Sequence, residues 1–424
     1  MESLNLRNFA EIPLPRFVKV KQTFARQCVE DIPGELITKL VPVLSQVQGK
    51  RIAVGVGSRG ISNMALIAKT VVNALKQAGA EPFIIPTMGS HGGATAEGQT
   101  EVLASFGITA ESMGVPVNAS MAVETIGELE PGLPLYVAQS ALQADGIIVI
   151  ARVKPHTAFR GSIESGVAKM LTIGLGKQVG ADSLHHQGFG RFAELIPKAA
   201  KFIVEKAPVL FGVALMENAY EETARIEVLS REDILAMERE MALLQEAKDM
   251  IGKILFPEFD VLVMEEIGKN ISGDGQDPNV TGLYVTKYAT GGPRFQKSVI
   301  FDLTEETHGN ANGMGVADVI SRDLFAKVDF IKTYTNSFTS TEILPIKVPM
   351  VAATKEDALK IAIKICNGVE SGKHKIVWIK NTLELGEILI SEGLLDEARS
   401  NPNIEILSEP VEISFIQGSP TSVW

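Results

Sequence analysis

The chain has 424 residues, and its 40 Lys and Arg against 51 Asp and Glu give a formal net charge of −11. Hydrophobic residues make up 45% of the chain and charged residues 21%, which is typical of folded globular proteins and argues against a disordered or fibrous chain. Because the chain is acidic and has no run rich in Lys and Arg, we expect it to bind neither nucleic acid nor an anionic membrane surface.

Three features of the sequence bear on the compartment of the protein. No apolar stretch approaches the roughly 18 residues that a membrane-spanning helix needs. Residues 1–20 carry charges throughout and have no apolar signal region. The only cysteines, Cys28 and Cys366, lie far apart, so neither a disulfide framework nor a thiolate metal cage is expected. We therefore predict a cytoplasmic protein.

The first half of the chain alternates between predicted strands and helices. Apolar runs at 51–57 and 81–88 predict strands, and the helical period of 62–80 predicts an amphipathic helix between them. Further expected elements are a helix that begins near Thr95 and buried strands at 144–152 and 211–216. This alternation predicts a largely parallel sheet that is flanked by helices.

A second set of elements follows a long charged helix predicted at 230–253, which Ser230 and Asp233 open as a capping box. The later expected elements are strands at 260–267, 298–303, 330–336 and 375–380 and helices at 316–328 and 356–368. We predict an α/β fold of two domains, each with a largely parallel sheet flanked by helices. The active site is expected in the cleft between the domains.

The predicted domain boundary lies near residue 255, after the long charged helix. We interpret residues 1–255 as an N-terminal cofactor-binding α/β domain and residues 256–400 as a C-terminal α/β domain. For the tail, 401–424, the sequence leaves two alternatives open. It either stays with the second domain or returns to the first.

A glycine-rich turn from Gly55 to Gly60 satisfies the pattern G-x-G-x-x-G between a predicted strand and a predicted helix. In a dinucleotide site, such glycines let the backbone approach a pyrophosphate at a helix N-terminus. The acidic partner is misplaced here, because Glu81 precedes the second strand instead of ending it. Arg59 within the turn suits a phosphate monoester. A dinucleotide, a mononucleotide or other phosphate, and a purely structural turn are all open interpretations.

A basic segment spans residues 151–188. Up to residue 180 it has a single acid, Glu164, against the cations Arg152, Lys154, Arg160, Lys169 and Lys177. In a chain of net charge −11, this local excess of positive charge predicts an anionic ligand. Lys169 has apolar neighbours and is either a surface lysine with a buried aliphatic stem or a lysine placed for covalent chemistry.

The chain has 6 histidines, and His156, His185 and His186 lie in this basic segment. His91 follows a predicted strand, as His156 does, and ligands of open parallel sheets bind where strands end. We weigh a site role and a surface role equally for these two residues. On a helix, His185 and His186 would point about 100° apart, so we expect only one of them to face a site.

The order of His91, His156, Lys169 and His185 along the chain resembles that of the nickel-pincer lactate racemase superfamily. The resemblance covers most of the chain and implies a nickel-pincer nucleotide as cofactor, a nickel complex of pyridinium-3-thioamide-5-thiocarboxylic acid mononucleotide. It implies that Lys169 tethers this cofactor and that His185 is the protein ligand of nickel, which accepts imidazole and sulfur donors. Enzymes that build the cofactor are the implied partners.

The same resemblance implies a reaction. His91 and His156 correspond to the paired acid/base histidines of a racemase or epimerase of a 2-hydroxy acid. One histidine takes the proton of the 2-hydroxyl group while hydride moves between Cα and the cofactor, and return of hydride to the opposite face inverts the carbon. Arg59 corresponds to an arginine beside the cofactor, with Ser58 and Gly57 in the same turn.

Three departures from the superfamily concern the substrate. Val56 replaces an aspartate, two glycines follow His91, and the interval from His156 to Lys169 is longer than in the lactate enzymes. These changes argue against specificity for lactate.

A polar loop at 268–279 is a candidate substrate-binding element. Lys269 is a candidate partner of a substrate carboxylate, and Asn270 and Asp277 of further hydroxyl groups, which favours a substrate more polar than lactate. An ordinary turn cluster is the alternative. His374 is expected on the surface.

Two other functions are open from the sequence. The first is an NAD-dependent dehydrogenase that uses the turn from Gly55 to Gly60. The second is a non-catalytic protein that binds an anionic metabolite.

Overall fold

The computed structural model describes residues 9–57 and 61–421, which form two compact units. One unit is Arg26–Ile251. The other joins the described residues up to Ala25 to those from Gly252 onward.

Strands and helices are numbered separately, each in chain order. The strands are β1 (Phe17–Gln22), β2 (Arg51–Val56), β3 (Glu81–Pro86), β4 (Val123–Glu130), β5 (Leu133–Ala138), β6 (Gly146–Arg152), β7 (Val209–Glu217), β8 (Thr223–Ser230), β9 (Val261–Ile267), β10 (Lys297–Leu303), β11 (Val319–Ser321), β12 (Met350–Ala352), β13 (Ile376–Ile379), β14 (Glu387–Ser391), β15 (Ile404–Ile406), β16 (Phe415–Ile416) and β17 (Ser419–Pro420). The helices are α1 (Ile32–Leu44), α2 (Met64–Gln77), α3 (Ala96–Ser105), α4 (Ala110–Met113), α5 (Gln139–Leu142), α6 (Val167–Lys169), α7 (Lys177–His185), α8 (Phe192–Lys206), α9 (Arg231–Ala236), α10 (Glu238–Met250), α11 (Pro278–Thr281), α12 (Arg322–Ala326), α13 (Phe330–Ser340), α14 (Lys355–Lys364) and α15 (Leu395–Ser400). None of these helices has the length and apolar character that crossing a lipid bilayer requires.

In the first unit, five strands form a sheet in the order β3-β2-β6-β7-β8. The first four are parallel, and β8 joins β7 as an antiparallel edge strand. Successive residues of β2 face opposite sides of the sheet. Val54 shares a core with α1 and α2, and Ala53 shares one with α8 and α10. Both faces are therefore buried, and the carboxyl ends of four parallel strands meet at one edge.

In the second unit, eight strands form a mixed sheet in the order β12-β11-β10-β9-β13-β14-β1-β15. The five strands from β12 to β13 are parallel, whereas β14, β1 and β15 are antiparallel to their neighbours. Trp378 of β13 is fully buried, and its ring meets those of Phe17 and Phe301 edge-on. The predicted fold class, α/β with largely parallel sheets flanked by helices, is confirmed.

The units differ from the domains expected on either side of residue 255. Strand β1 belongs to the second unit, because it pairs with β14 on one side and with β15 on the other. β15 lies within the tail 401–424, so this part of the tail is in the sheet of the second unit instead of returning to the first. These pairs join the two ends of the chain, which no local pattern in the sequence could show.

Three predicted elements are wrong. The helix expected at 230–253 is two helices, α9 and α10, because Met237 between them has a left-handed backbone with φ of 68°. The segment 330–336 begins α13 instead of forming a strand, since Asp329 caps the N-terminus of that helix. The segment 316–328 is not a single helix but contains β11 and α12.

Candidate functional site

Three of the predicted site segments follow the carboxyl ends of neighbouring parallel strands. Gly57 follows β2, the loop of His91 follows β3, and His156 lies beyond the end of β6. Because these strands are adjacent in the order β3-β2-β6, the three segments begin at one edge of the sheet. The predicted cofactor residues Ser58 and Arg59 lie outside the described residues.

The loop of His91 packs against the helical segment 167–185. The His91 N–H donates to the carbonyl oxygen of Met88 at 3.1 Å, which closes a turn just after β3. Gly89 has a left-handed backbone with φ of 57°, and a Cβ atom there would lie 3.5 Å from Cβ of Ala181. Glycine suits this position because its backbone is left-handed and close to α7. His91 itself is half-buried.

A buried glutamate organises the loop of His156. The Glu164 carboxylate accepts the N–H of His156 at 2.9 Å and that of Gly161 at 3.2 Å, and it pairs with Nζ of Lys248 at 2.7 Å. These bonds compensate for removing the carboxylate from water. Nδ1 of His156 accepts the N–H of Ala158 at 3.0 Å, so the neutral ring carries its proton on Nε2. His156 therefore has a hydrogen-bond donor at Nε2.

Lys169 lies where α6 meets a π-helix, Met170–Gly174. Such π-turns are frequent at functional sites. At the start of α6, the buried Glu240 carboxylate accepts the Ala168 N–H at 3.1 Å, and burial raises the pKa of Glu240 to about 7. Gly166 makes room for this carboxylate, since a Cβ atom there would lie 2.2 Å from Oε1 of Glu240. Glu240 of α10 thus holds the segment that carries Lys169 in place.

His185 ends α7 and has a defined proton position. Its Nδ1 lies 2.7 Å from the carbonyl oxygen of Ala181, and because a carbonyl only accepts, Nδ1 donates and Nε2 keeps its lone pair. Burial lowers the pKa of His185 to about 4, and the charge of Lys169 contributes in the same direction. The neighbouring His186 is exposed. Of the two histidines, His185 has the surroundings that are usual for a metal-binding imidazole.

Phenylalanine rings link His156 and His185. The ring of Phe189 lies 5.9 Å from the ring of His156 and 5.6 Å from that of His185, centroid to centroid. Phe192 lies 5.1 Å from His185, and Phe159 lies 4.6 Å from His156. Two predicted site histidines therefore share one aromatic cluster.

Arg152, Arg160 and Lys177, which are among the cations predicted to attract an anion, have partners within the protein. Arg152 pairs with the buried Glu217, and Arg160 lies 3.4 Å from Glu164. Lys177 is 1% exposed, donates to a backbone carbonyl at 2.7 Å, and has its pKa lowered to about 8 by burial. The excess of positive charge in the sequence is therefore partly used inside the fold.

In the second unit, the predicted substrate residues make hydrogen bonds within their own polar loop and its neighbours. Nζ of Lys269 donates to a carbonyl of the same loop. Oδ1 of Asn270 accepts from Oγ1 of Thr304 at 2.7 Å. Asp277 caps α11 by accepting the Asn279 N–H at 2.9 Å. A role for Lys269, Asn270 and Asp277 in substrate binding stays a prediction.

Sequence reasoning missed several residues that shape the site. Glu240 is 72 residues from the Ala168 N–H that it accepts, so no local pattern could reveal it. Phe189 and Phe192 lie beyond the end of α7, after the left-handed Gly188, so the helical period of α7 does not place them beside His185. Within 9–57 and 61–421, no group of three or more His, Cys, Asp or Glu side chains could hold a metal ion.

Comparisons with known proteins add two findings. Residues 57–240 match the family described as "Domain of unknown function (DUF362)", and this range contains His91, His156, Lys169 and His185. The structure of the lactate racemase apoprotein from Thermoanaerobacterium thermosaccharolyticum is similar to this chain, with a TM-score of 0.51 and 15% sequence identity. The similarity covers 90% of this chain and 96% of that one. No protein with a curated description matches the chain.

The structural similarity shows the fold. This chain has the mixed α/β architecture of a lactate racemase, with two sheet-containing units whose sheets are largely parallel and flanked by helices.

Proposed function

We propose that this protein is a racemase or epimerase of a 2-hydroxy acid with a nickel-pincer nucleotide as its cofactor. The observation that carries the proposal is the hydrogen bond from Nδ1 of His185 to a backbone carbonyl, which leaves the Nε2 lone pair for a metal. Lys169 is near enough to His185 to lower its pKa. The similarity to the fold of a lactate racemase apoprotein supports an isomerase.

The described residues fit such a cofactor. Lys169 would hold it through its amine, and His185 would bind nickel through Nε2. One imidazole beside the sulfur and carbon donors of the cofactor is a donor set that suits Ni(II). When bound, the cofactor supplies an acceptor for the hydride of the substrate Cα and returns that hydride to the same carbon. Since the tether has to be made, enzymes that build the cofactor are the proposed partners.

His91 and His156 would exchange the proton of the substrate hydroxyl group. In the neutral form, with its ring proton on Nε2, His156 can donate a hydrogen bond to the substrate oxygen. With both ring nitrogens protonated, it would act as the acid and protonate that oxygen from Nε2. His91, in the loop after the neighbouring strand β3, would accept the hydroxyl proton in its neutral form, and the two residues would exchange these roles in the reverse direction. Glu164 holds the His156 backbone in place, and the rings of Phe159 and Phe189 pack beside the imidazole.

A nicotinamide-dependent dehydrogenase fits the structure less well. Gly55 lies within β2, where a Cβ atom would lie 2.7 Å from Cγ2 of Thr87, so packing explains this glycine. The next helix begins only at Met64, some residues after Gly60. In a dinucleotide site, the glycine turn leads directly into the helix whose N-terminus binds the pyrophosphate.

The test uses protein made together with the cofactor-building enzymes. Single enantiomers of lactate and of sugar acids, deuterated at C2, are the substrates. We expect inversion at C2 with deuterium retained on the product, faster turnover of the sugar acids, and no change in nicotinamide absorbance. Equal turnover of lactate and sugar acids would contradict the expected polarity of the substrate.

Two other outcomes would replace the proposal. A stoichiometric change in nicotinamide absorbance would indicate a dehydrogenase. Binding without turnover, unchanged when His91 and His156 are both replaced by Ala, would indicate a non-catalytic protein that binds an anionic metabolite. Loss of deuterium to water would show that the C2 hydrogen leaves as a proton and would contradict hydride transfer.

A further inference from the structure

Lys177 and Gln99 form a buried hydrogen-bonded pair that the proposed reaction does not use. Lys177 is 1% exposed and Gln99 is 0% exposed. Nζ of Lys177 donates to the carbonyl oxygen of Pro86 at 2.7 Å and to Oε1 of Gln99 at 3.1 Å. Pro86 ends β3, so the amine binds the strand end from which the loop of His91 starts.

The lysine fixes the orientation of the Gln99 amide. An ammonium group only donates hydrogen bonds, so Oε1 of Gln99 has to face Lys177 and Nε2 has to face away from it. Nε2 donates to the carbonyl oxygens of Gly89 at 3.0 Å and of His91 at 3.2 Å. The pair therefore binds the chain at both ends of the segment from Pro86 to His91.

Lys177 also begins α7, the helix that His185 ends. Its backbone is left-handed with φ of 54°, which is uncommon for a residue with a side chain. Its buried ammonium donates to Pro86 and Gln99, which are both neutral, and this is unfavourable compared with an ion pair. Both features oppose stability, and such features cluster at functional sites.

We propose that Lys177 and Gln99 are positioning residues that hold the backbone of His91 at a fixed place relative to α7 and His185. The inference rests on the proposed function, because it assigns acid/base chemistry to His91. Proton transfer depends steeply on distance, and a displacement of about 1 Å can lower the rate by about 100-fold.

The variant Gln99→Glu tests this directly. The new side chain keeps its shape and still accepts from Lys177, but a carboxylate cannot donate to the carbonyl oxygens of Gly89 and His91. Lys177→Met is the second variant, because it removes the amine and frees the Gln99 amide to reorient. Gln143→Glu is the control for the change of charge, at an exposed position outside the loop of His91 and α7.

The first readout is amide hydrogen exchange in the protein without cofactor. We expect exchange at residues 88–94 to be about tenfold faster in Gln99→Glu and Lys177→Met, as loss of one or two hydrogen bonds implies. Exchange in the strands β2 and β6, and throughout Gln143→Glu, should stay as in the natural protein. Unchanged exchange of the loop in both variants would overturn the proposal whatever the activity, and so would failure of both variants to fold.

The second readout is the split between kcat and KM in the loaded enzyme. We expect Gln99→Glu to lower kcat by about 100-fold, to leave KM within about threefold, and to leave the mass adduct on Lys169 intact. If Gln99→Glu has the same kcat as the natural protein although its loop exchanges faster, the proposal is overturned. If the natural protein itself converts no 2-hydroxy acid, the proposed function fails, and loop exchange alone decides whether the pair holds the loop of His91.

Discussion

The hydrogen bond from Nδ1 of His185 to the carbonyl oxygen of Ala181, 2.7 Å long, determines which nitrogen of this histidine can bind a metal. Both residues lie on α7, so a single helical turn orients the ring without help from another element. The ring is neutral near pH 7, because burial lowers its pKa to about 4. A neutral imidazole with a free Nε2 needs no proton removed before it binds nickel.

Replacing His185 by Ala should release nickel from the loaded protein, whereas His186→Ala should retain it. Nickel per chain after gel filtration should fall at least about tenfold in the first variant, because loss of even a supporting partner of a metal-binding histidine has an effect of that size. Metal analysis of both variants, with intact mass to check the Lys169 adduct, gives the answer. Equal nickel in the two variants would show that His185 is not the ligand.

His91→Ala and His156→Ala should each abolish most of the turnover from either enantiomer. Removing a positioned acid/base group lowers kcat by about 100- to 10,000-fold. The amount of cofactor on Lys169 should not change, because neither histidine holds it. His186→Ala serves as the control, since that side chain is exposed. If a variant of His91 or His156 keeps more than about a tenth of the kcat of the natural protein, that residue is not an acid/base group of the reaction.

Glu240 should make the stability of the protein depend on pH. Burial raises its pKa from 4.5 to about 7, so the folded protein binds this proton more tightly than the unfolded chain does. This contribution is complete below pH 4.5 and is lost as the pH rises through about 7. The free energy of unfolding, relative to that of Glu240→Gln, should therefore fall by about 3 kcal/mol over this range. Urea unfolding at several pH values measures it, and parallel pH profiles would contradict the assignment.

Gly166→Ala should destabilise the protein more than Gly49→Ala does. Both glycines have left-handed backbones, with φ of 91° and 71°, but only at Gly166 would the new Cβ meet another group, Oε1 of Glu240 at 2.2 Å. We expect Gly166→Ala to cost more than about 1 kcal/mol of unfolding free energy beyond the control. Thermal unfolding of the two variants compares them, and equal melting temperatures would show that the carboxylate moves aside freely.

Local patterns in the sequence were enough to predict that the candidate site residues His91 and His156 follow strands at one edge of the sheet. The strands predicted at 51–57 and 81–88 correspond to β2 and β3, and Thr95 caps α3 as expected. Since alternation of strands and helices implies parallel strands, the positions of His91 and His156 after strand ends followed from the sequence.

Contacts between distant segments could not be predicted in this way. The hydrogen bond from the Ala168 N–H to Glu240 depends on a helix break at Met237. No glycine or proline at this position indicates the break in the sequence. His374, expected on the surface, is 4% exposed. It precedes β13, and its backbone carbonyl accepts a hydrogen bond from Ser391 of the adjacent strand β14. Hydrophobic periodicity reports which face of an element is buried but not which distant residue covers it.

The most direct test of the proposed cofactor is the intact mass and nickel content of the protein made beside the cofactor-building enzymes. We predict one cofactor adduct and one nickel ion per chain, both absent from Lys169→Ala. A chain with neither adduct nor nickel, from cells in which a lactate racemase is loaded, would contradict the proposed function.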